Sequence, residues 1–416
     1  MKLMHTRLGE VVIEEAIRYA LKEPERNMGK LLGWSKKLCI RDKDRQAIES
    51  LEKCLEDPES NWSLYVKKLL NEIAPDIIIK MGTNFFFNAS IFGLPMQKDN
   101  AKKYGCSIPW AILIEAVPGG LGRSGHCRSG EEDVFSLEYE VMDRIINEGK
   151  QLGIFMYGFS GEEPLMRKDE IITLCKKHDN CAFMLFTGGE PIDRRFAEAL
   201  KEAGNLAVLL KSEGNEVQDK TVFEKMDLLR ETGCLFGFFA EYGRSDIEAL
   251  TSGEYIETML GKGCRFGLYF PYIPTVGDEA EEATVTAEQK AYMYGRVREI
   301  REKYPLLVWD TVSDREYTNG CMGAGKKYFH INAKGECEPC AFVHYSSINI
   351  KEHTLIQALK SPLFKCFRKR QPFSRSPLRA CPLLDKPEKL KAIIEEAKAY
   401  PTDSFKEAPE EQYKVD

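Results

Sequence analysis

No stretch of eighteen uncharged apolar residues occurs in this chain, and Met1-Lys2-Leu3-Met4-His5 is not followed by an apolar signal-peptide core. Neither a hydropathic membrane span nor a secretory leader is expected, and a cytoplasmic location is the default. An excess of positive charge is also missing. The formal net charge is -6, which excludes a nucleic-acid-binding face spread over the whole surface and leaves KCFRKRQPFSRSPLR (365–379) as the one basic patch. No nucleic-acid partner is expected. Nucleophile elbow, phosphate loop and HExxH are all absent. The 13 cysteines lack the spacing of a secreted disulfide framework, and a chain of this length needs none, so reduced thiols are expected. Internal repeats and low-complexity segments are absent too, which excludes repeat architectures.

What is present is enough for a large core: 416 residues, 43% hydrophobic and 30% charged, read as one big domain with additions. The chain is organised around Trp110 to Pro164. WAILIEAV (110–117) is an apolar run of strand length that leads into the loop GGLGRSGHCRSGEED and then the helix 136–153. A second strand, IFMYGF, ends in the turn Ser160-Gly161-Glu162-Glu163-Pro164. In a parallel α/β protein these two loops leave the same ends of adjacent strands and should lie side by side. Further strands are expected at 181–187, 205–212, 234–242, 264–273 and 306–312. Helices are expected between them at 167–178, 192–203, 219–232, 245–261 and 286–303. Continuous apolar strands alternating with amphipathic helices imply a parallel sheet covered by helices, a partial (β/α)6 TIM-like barrel.

Before the barrel, residues 10 to 73 read as helices with apolar residues three and four apart. MGTNFFFNASIFGLP (81–95) is suited to packing on the domain that follows, with a membrane surface or a lipid-like ligand as the competing use. The expected division is a helical extension over 1–105, the barrel over 106–312, an auxiliary segment over 313–400 and a solvated tail over 401–416. Cys39, Cys54, Cys106, Cys175, Cys181, Cys234 and Cys264 are expected as small apolar core residues. Glu115, Glu241, Tyr242 and Tyr272 end strands and are candidates to line the barrel mouth, Glu115 equally for a strand-helix contact. His178 reads as a helix C-terminal residue interacting with the dipole.

The order of elements, LGIFMYGFSGEEPLMRKDEIITLCKKHDNCAF and the later GKKYFHINAKGECEPCAFVHYSSINIKEHTLIQALKSPLF together resemble the radical S-adenosylmethionine (radical SAM) superfamily. The likeness runs from about Asn61 to Lys389 and is closest to members with a C-terminal auxiliary iron-sulfur segment of the SPASM or twitch type. It implies CxxxCxxC after the first strand, three thiolates for a [4Fe-4S] cluster whose fourth iron binds SAM. This sequence has Gly120, Ser124 and Cys127 there, a degenerate site in which Cys127 is the remnant. The family turn GGEP is Gly161-Glu162-Glu163-Pro164 here, a degenerate SAM turn with glutamate for the second glycine. A literal GGEP at Gly188-Gly189-Glu190-Pro191 is read as a coincidental turn. Lys211-Ser212-Glu213-Gly214 is similar to the family's ribose-contacting position.

At the C-terminal end Cys321, Gly335 and Cys340 match the first half of the SPASM pattern across a hairpin, and Cys381 resembles the cysteine that returns to it. Cys337, His344, Cys366 or an external group are the candidates for a fourth ligand. An iron-sulfur cluster is the expectation at this auxiliary site. Zinc on Cys321, Cys337, Cys340 and Cys381 is the alternative, because four thiolates suit either. The resemblance therefore implies a divergent protein, a pseudoenzyme with SAM binding in doubt, whose partners would be a small molecule or peptide or an intact radical SAM homologue. An active oxidoreductase or transferase with an altered cluster is the competing reading.

Overall fold

The computed structural model describes residues 2–38, 42–119, 136–215, 219–273, 283–376, 378 and 381–402. Seven strands follow the apolar runs: β1 Ala111–Glu115, β2 Met156–Ser160, β3 Ala182–Thr187, β4 Leu206–Lys211, β5 Phe236–Tyr242, β6 Phe266–Pro271 and β7 Leu307–Asp310. Each pairs in parallel with the next. Two more, β8 Tyr328–Ile331 and β9 Cys337–Glu338, complete a nine-stranded sheet in the order β7-β6-β5-β4-β3-β2-β1-β8-β9. The architecture is the expected partial barrel. β8 runs parallel to β1 and β9 returns antiparallel, so the C-terminal hairpin is continuous with the barrel sheet beside the first strand.

The crossovers are helices Tyr139–Leu152, Lys168–Lys177, Arg194–Ala203, Lys220–Thr232, Gly253–Lys262 and Ala287–Lys303. Local chemistry starts them: Asp193 and Ser252 accept from the amides of Phe196 and Tyr255, and Thr286 with Gln289 forms a reciprocal capping box. Such caps contribute about 1 kcal/mol each. The outer strand faces and the helices share one core, in which Tyr157, Phe159, Phe183, Phe236 and Phe238 are fully buried. Each such side chain removes enough apolar surface from water to stabilise the fold by roughly 1.5–3 kcal/mol. The inner faces form a second, smaller cluster of Phe186, Leu209, Phe239 and Phe270, with Leu113, Met184, Leu268 and Phe342 packed against it. Phe342 comes from beyond β9 and lies 6.1 Å from Phe270, centroid to centroid. The C-terminal segment thus reaches into the barrel.

Helices Lys2–Lys22, Pro24–Leu38, Asp42–Glu56, Asn61–Glu72, Pro75–Gly82 and Gly93–Tyr104 make the N-terminal extension. Between the last two, Thr83–Phe92 is a π-helical stretch. It docks on the barrel through amides: Asn84 donates to the carbonyls of Asp179 and Cys181, and Asn88 to that of Asn180. Phe86 and Ile91 on the same stretch are exposed. Pro75–Tyr104 is apolar and long enough to cross a membrane by length and composition, and 44% of its window is buried in the protein.

Candidate metal centre and barrel mouth

The loops after β1 and β2 meet as expected. Glu162 donates its amide to Pro118 O at 3.2 Å, and a side chain at Gly119 would come within 2.6 Å of Glu162 Cβ. A Cβ on Gly161, which has φ of 138°, would meet Val117 O at 2.3 Å. Both positions need the space and backbone freedom of glycine. Gly120, Ser124 and Cys127 lie outside the described residues. Of the turn itself, Glu163 is directed into structure: it accepts from Thr187 Oγ1 at 2.6 Å, Leu165 N at 3.0 Å and Gly188 N at 3.0 Å. Burial raises its pKa against those hydrogen bonds. Gly188 of the second GGEP therefore serves as a partner of the first turn.

Strand alternation aims Glu115, Ser160, Lys211 and Glu241 inward, two residues beyond Leu113, Gly158, Leu209 and Phe239. Glu115 accepts from Gly119 N at 2.8 Å. Its other oxygen lies 3.6 Å from His330 Nε2. His330, on β8, stands 2.8 Å from Glu338 Oε2 through Nδ1. Glu338 is fully buried, accepts from Asn332 at 3.1 Å and from Thr402, and has His344 Nδ1 at 3.5 Å. Burial opposes its charge, but the hydrogen bonds from His330 and His344 prevail and bring its pKa down to about 2. Glu241 is held otherwise. Burial pushes it up to about 7 against the attraction of Lys211, and its buried Oε1 has no hydrogen-bond partner among the described residues. Glu213, in the stretch similar to the ribose-contacting position, pairs with Lys211 at 2.7 Å. His178 caps its helix and bonds Asp143 Oδ1 at 2.9 Å, with its pKa lowered first by burial.

The C-terminal hairpin turns at Lys334-Gly335, where Gly335 has φ of 91°. It brings Cys340 against the loop that carries Cys321: Ala324 N donates to Pro339 O at 2.7 Å, and a side chain on Gly323 would sit 3.6 Å from Cys340 Cβ. Cys321 Sγ accepts from Gly323 N at 3.5 Å. Burial raises the Cys321 thiol pKa, with Cys381 adding to the rise and Arg315 opposing it. Cys340 is raised by burial, and feels Cys321 and Cys381. These three cysteines share one electrostatic neighbourhood, with Tyr328 beside all of them. Cys381 is anchored by its amide on Asp385 Oδ2 at 3.1 Å, and Asp385 pairs with Lys290 at 2.8 Å.

The other candidates sit elsewhere. Cys337 is buried in β9, where its charged neighbours are Glu336, Glu338 and Arg144. Cys366 hydrogen-bonds Glu396, and His344 lies against Glu338. Cys175, Cys181, Cys234 and Cys264 are wholly buried in the core and Cys106 is buried at its edge, Cys54 is half-buried, and Cys39 lies outside the described residues. His330, Glu338 and Arg315 were not singled out in the sequence. The alternation of KYFHINA, which turns His330 to the same side as Asn332, was the available signal for the first.

Residues 321–382 match the sequence model of SPASM, an iron-sulfur cluster-binding domain. No curated protein sequence matches the chain. Among solved structures, Streptococcus suis SuiB bound to precursor peptide SuiA is similar at 15% identity and TM-score 0.53, over 69% of this chain and 74% of that one. SuiB bound to S-adenosylmethionine gives 14% identity and 0.52, over 69% and 75%. Native anSMEcpe with bound AdoMet and Kp18Cys peptide gives 14% and 0.51, over 69% and 96%. At these identities the likeness is one of fold. The chain shares the fold of SuiB and anSMEcpe and carries a segment that matches SPASM. The SPASM residues present suit an iron-sulfur cluster. Cys340 lies against the loop that carries Cys321, both feel Cys381, and thiolate sulfur is the donor such clusters require.

Proposed function

We propose that this radical SAM-fold protein holds one iron-sulfur cluster on Cys321, Cys340 and Cys381, lacks the ordinary SAM-cleaving cluster, and binds a peptide or small ligand at the barrel mouth. The observation that carries the reading is the contrast in donors. The SPASM segment gathers three thiols into one neighbourhood, whereas the loop after β1 supplies a lone cysteine, Cys127, with Gly120 and Ser124 at the other two positions. Glycine has no side chain to ligate iron, and serine oxygen is a poor substitute for thiolate sulfur. Glu162, packed on Gly119, adds a carboxylate beside the approach that the amino group of SAM would use.

Zinc is the weaker alternative. Among the described residues no three His, Cys, Asp or Glu side chains converge as a single ion needs, whereas the thiolates of a cube each bind a different iron. The peptide part of the proposal is supported by SuiB and anSMEcpe, proteins of like fold that have been solved with peptides.

The test is anaerobic purification of the full chain with iron, sulfide and zinc analysis, followed by assay for 5′-deoxyadenosine after reduction with SAM. The expected result is about four irons per chain, one cube, lost in C321A, C340A or C381A, with no 5′-deoxyadenosine. About eight irons with SAM cleavage would establish an active enzyme instead, and stoichiometric zinc without iron would establish the alternative.

A further inference from the structure

The helix Pro75–Tyr104, π-helical over Thr83–Phe92, has two unlike faces. One is docked. Asn84 and Asn88 reach barrel carbonyls, Gln97 donates to Gly153 O at 2.7 Å, and a Cβ on Gly93 would meet that same oxygen at 2.6 Å. Two of the three consecutive phenylalanines are also used within the protein: Phe85 lies edge-on to Trp110 at 5.5 Å, and Phe87 stacks on Phe92 at 6.4 Å, centroid to centroid.

The other face is exposed. Phe86, Ile91 and Leu94 are 65%, 63% and 38% exposed. Five residues make about one turn of π-helix and three or four a turn of α-helix, so these side chains and the exposed Lys98 and Lys102 fall along one stripe. Lys103, also exposed, has its Nζ 4.8 Å from the centre of the Tyr104 ring, and the exposed Lys360 of the C-terminal segment approaches the same ring at 5.6 Å. Asp99 is the single acid of the helix Gly93–Tyr104. A chain of net charge -6 thus presents an apolar stripe that runs into a group of lysines.

Charge decides what this face fits. Lysine is depleted from the buried cores of protein-protein interfaces. Apolar side chains next to lysines suit instead the boundary between acyl chains and anionic headgroups, where rings and aliphatic groups enter the acyl region and flexible lysine stems keep their charge at the phosphates. At 1.5 Å per residue Lys98 sits roughly 10 Å along the axis from Ile91, the depth over which a tilted helix passes from one region to the other.

We propose that this face docks the protein on an anionic lipid surface, with Phe86, Ile91 and Leu94 in the acyl boundary and the lysines on the headgroups. The helix lies on that surface and does not cross it, because its opposite face is committed to the barrel. Neither the cluster nor a ligand at the barrel mouth is needed for it.

The experiment mixes the full chain with vesicles of phosphatidylcholine alone or of phosphatidylcholine with phosphatidylglycerol and measures the bound fraction by flotation. The expected result is binding to the mixed vesicles that weakens with added salt, little binding to the neutral ones, and I91W fluorescence, taken as the difference from wild type, that shifts to shorter wavelength on the mixed vesicles. K98E/K102E should lower the partition coefficient at least about tenfold, and F86S/I91S by a similar factor. Circular dichroism melts should stay near wild type, because all four side chains are exposed. If F86S/I91S fails to fold, K98E/K102E and I91W decide together. The proposal is overturned by absence of binding to the mixed vesicles, by equal binding to both kinds, by binding that K98E/K102E leaves unchanged, or by an I91W spectrum that does not move. A wild-type dimer that F86S/I91S dissociates, with no vesicle binding, also overturns it and makes the face an interface between copies of this chain.

Discussion

His330 Nδ1 lies 2.8 Å from Glu338 Oε2, and both side chains are wholly buried. This pair joins the barrel to the SPASM hairpin, because His330 is on the strand beside β1 and Glu338 is two residues before Cys340. From Glu115, which holds the amide of Gly119, the contacts run through His330 to Glu338 and out to His344 and Thr402. The start of the loop after the first strand and the hairpin that leads to Cys340 are therefore braced by one polar network. Removing a member takes one partner from a buried carboxylate.

Substituting leucine for His330 should accordingly destabilise the protein by about 1–3 kcal/mol, the usual cost of taking a hydrogen-bond partner from a buried group. Denaturant unfolding measures it. The pH dependence has a definite sign. Glu338 has a folded pKa near 2, below its ordinary value, so its contribution is complete above the ordinary carboxylate range and fades as pH falls toward 2. H330L should flatten that acid limb. A loss under about 0.5 kcal/mol, the ordinary scatter of surface substitutions, would show that the network is not bracing the fold.

Glu241 behaves in the opposite sense. Its folded pKa, pushed up to about 7 by burial, means that the folded state keeps a proton the unfolded chain releases. Stability then falls as pH rises from the ordinary carboxylate range to about 7, and stays lowered above it. E241Q removes the penalty. It should raise stability at pH 8 by on the order of 2 kcal/mol, since a tenfold change in proton affinity corresponds to about 1.4 kcal/mol, and change little at pH 5. Thermal melts at the two pH values make the comparison, and an equal change at both would contradict the assignment.

The barrel was legible because its strands are continuous apolar runs and its helices carry a clear 3.6-residue stripe. CAFMLFT, NLAVLLKS and CLFGFFAEY each became a buried strand within two residues of the expected limits. The helix Pro75–Gly82 is not legible in that way, because a run of isoleucines has no polar face to reveal its period. The π-helical turn around Phe85, Phe86 and Phe87 was equally hidden. Its fixing contacts are asparagine amides reaching carbonyls more than ninety residues away, a relationship that no local pattern encodes. The cysteine pattern of the auxiliary site was legible through its resemblance to SPASM, whereas the glutamate and histidines beside it were not. Their partners come from β1, β8, β9 and the chain end at Thr402.

Gly161 offers a sharper test of the paired loops. Alanine there would have to adopt φ of 138° and place its Cβ 2.3 Å from Val117 O. Strain of that kind costs about 1–3 kcal/mol, and relief requires the two loops to separate. G161A should lower the melting temperature and increase amide exchange at Val117 and Gly119 and at residues 161–163. Exchange that rises in one loop and leaves the other untouched would show that they are not packed together.

The final prediction addresses the missing donors directly. If the loop after β1 lacks a cluster because Gly120 and Ser124 cannot supply sulfur, then G120C/S124C restores the CxxxCxxC spacing with Cys127. Three thiolates at that spacing are what the cube needs from the protein. Anaerobic reconstitution should then raise iron from about four to about eight per chain. The second cube must survive in a triple variant that also carries C321A, which removes the auxiliary one. Glu162, whose Cβ would crowd any side chain on Gly119, separates two causes. If G120C/S124C gains iron without cleaving SAM, and adding E162G starts cleavage, the altered turn is a second and independent block. If G120C/S124C takes up no extra iron, the absent thiols are not what keeps the cluster out.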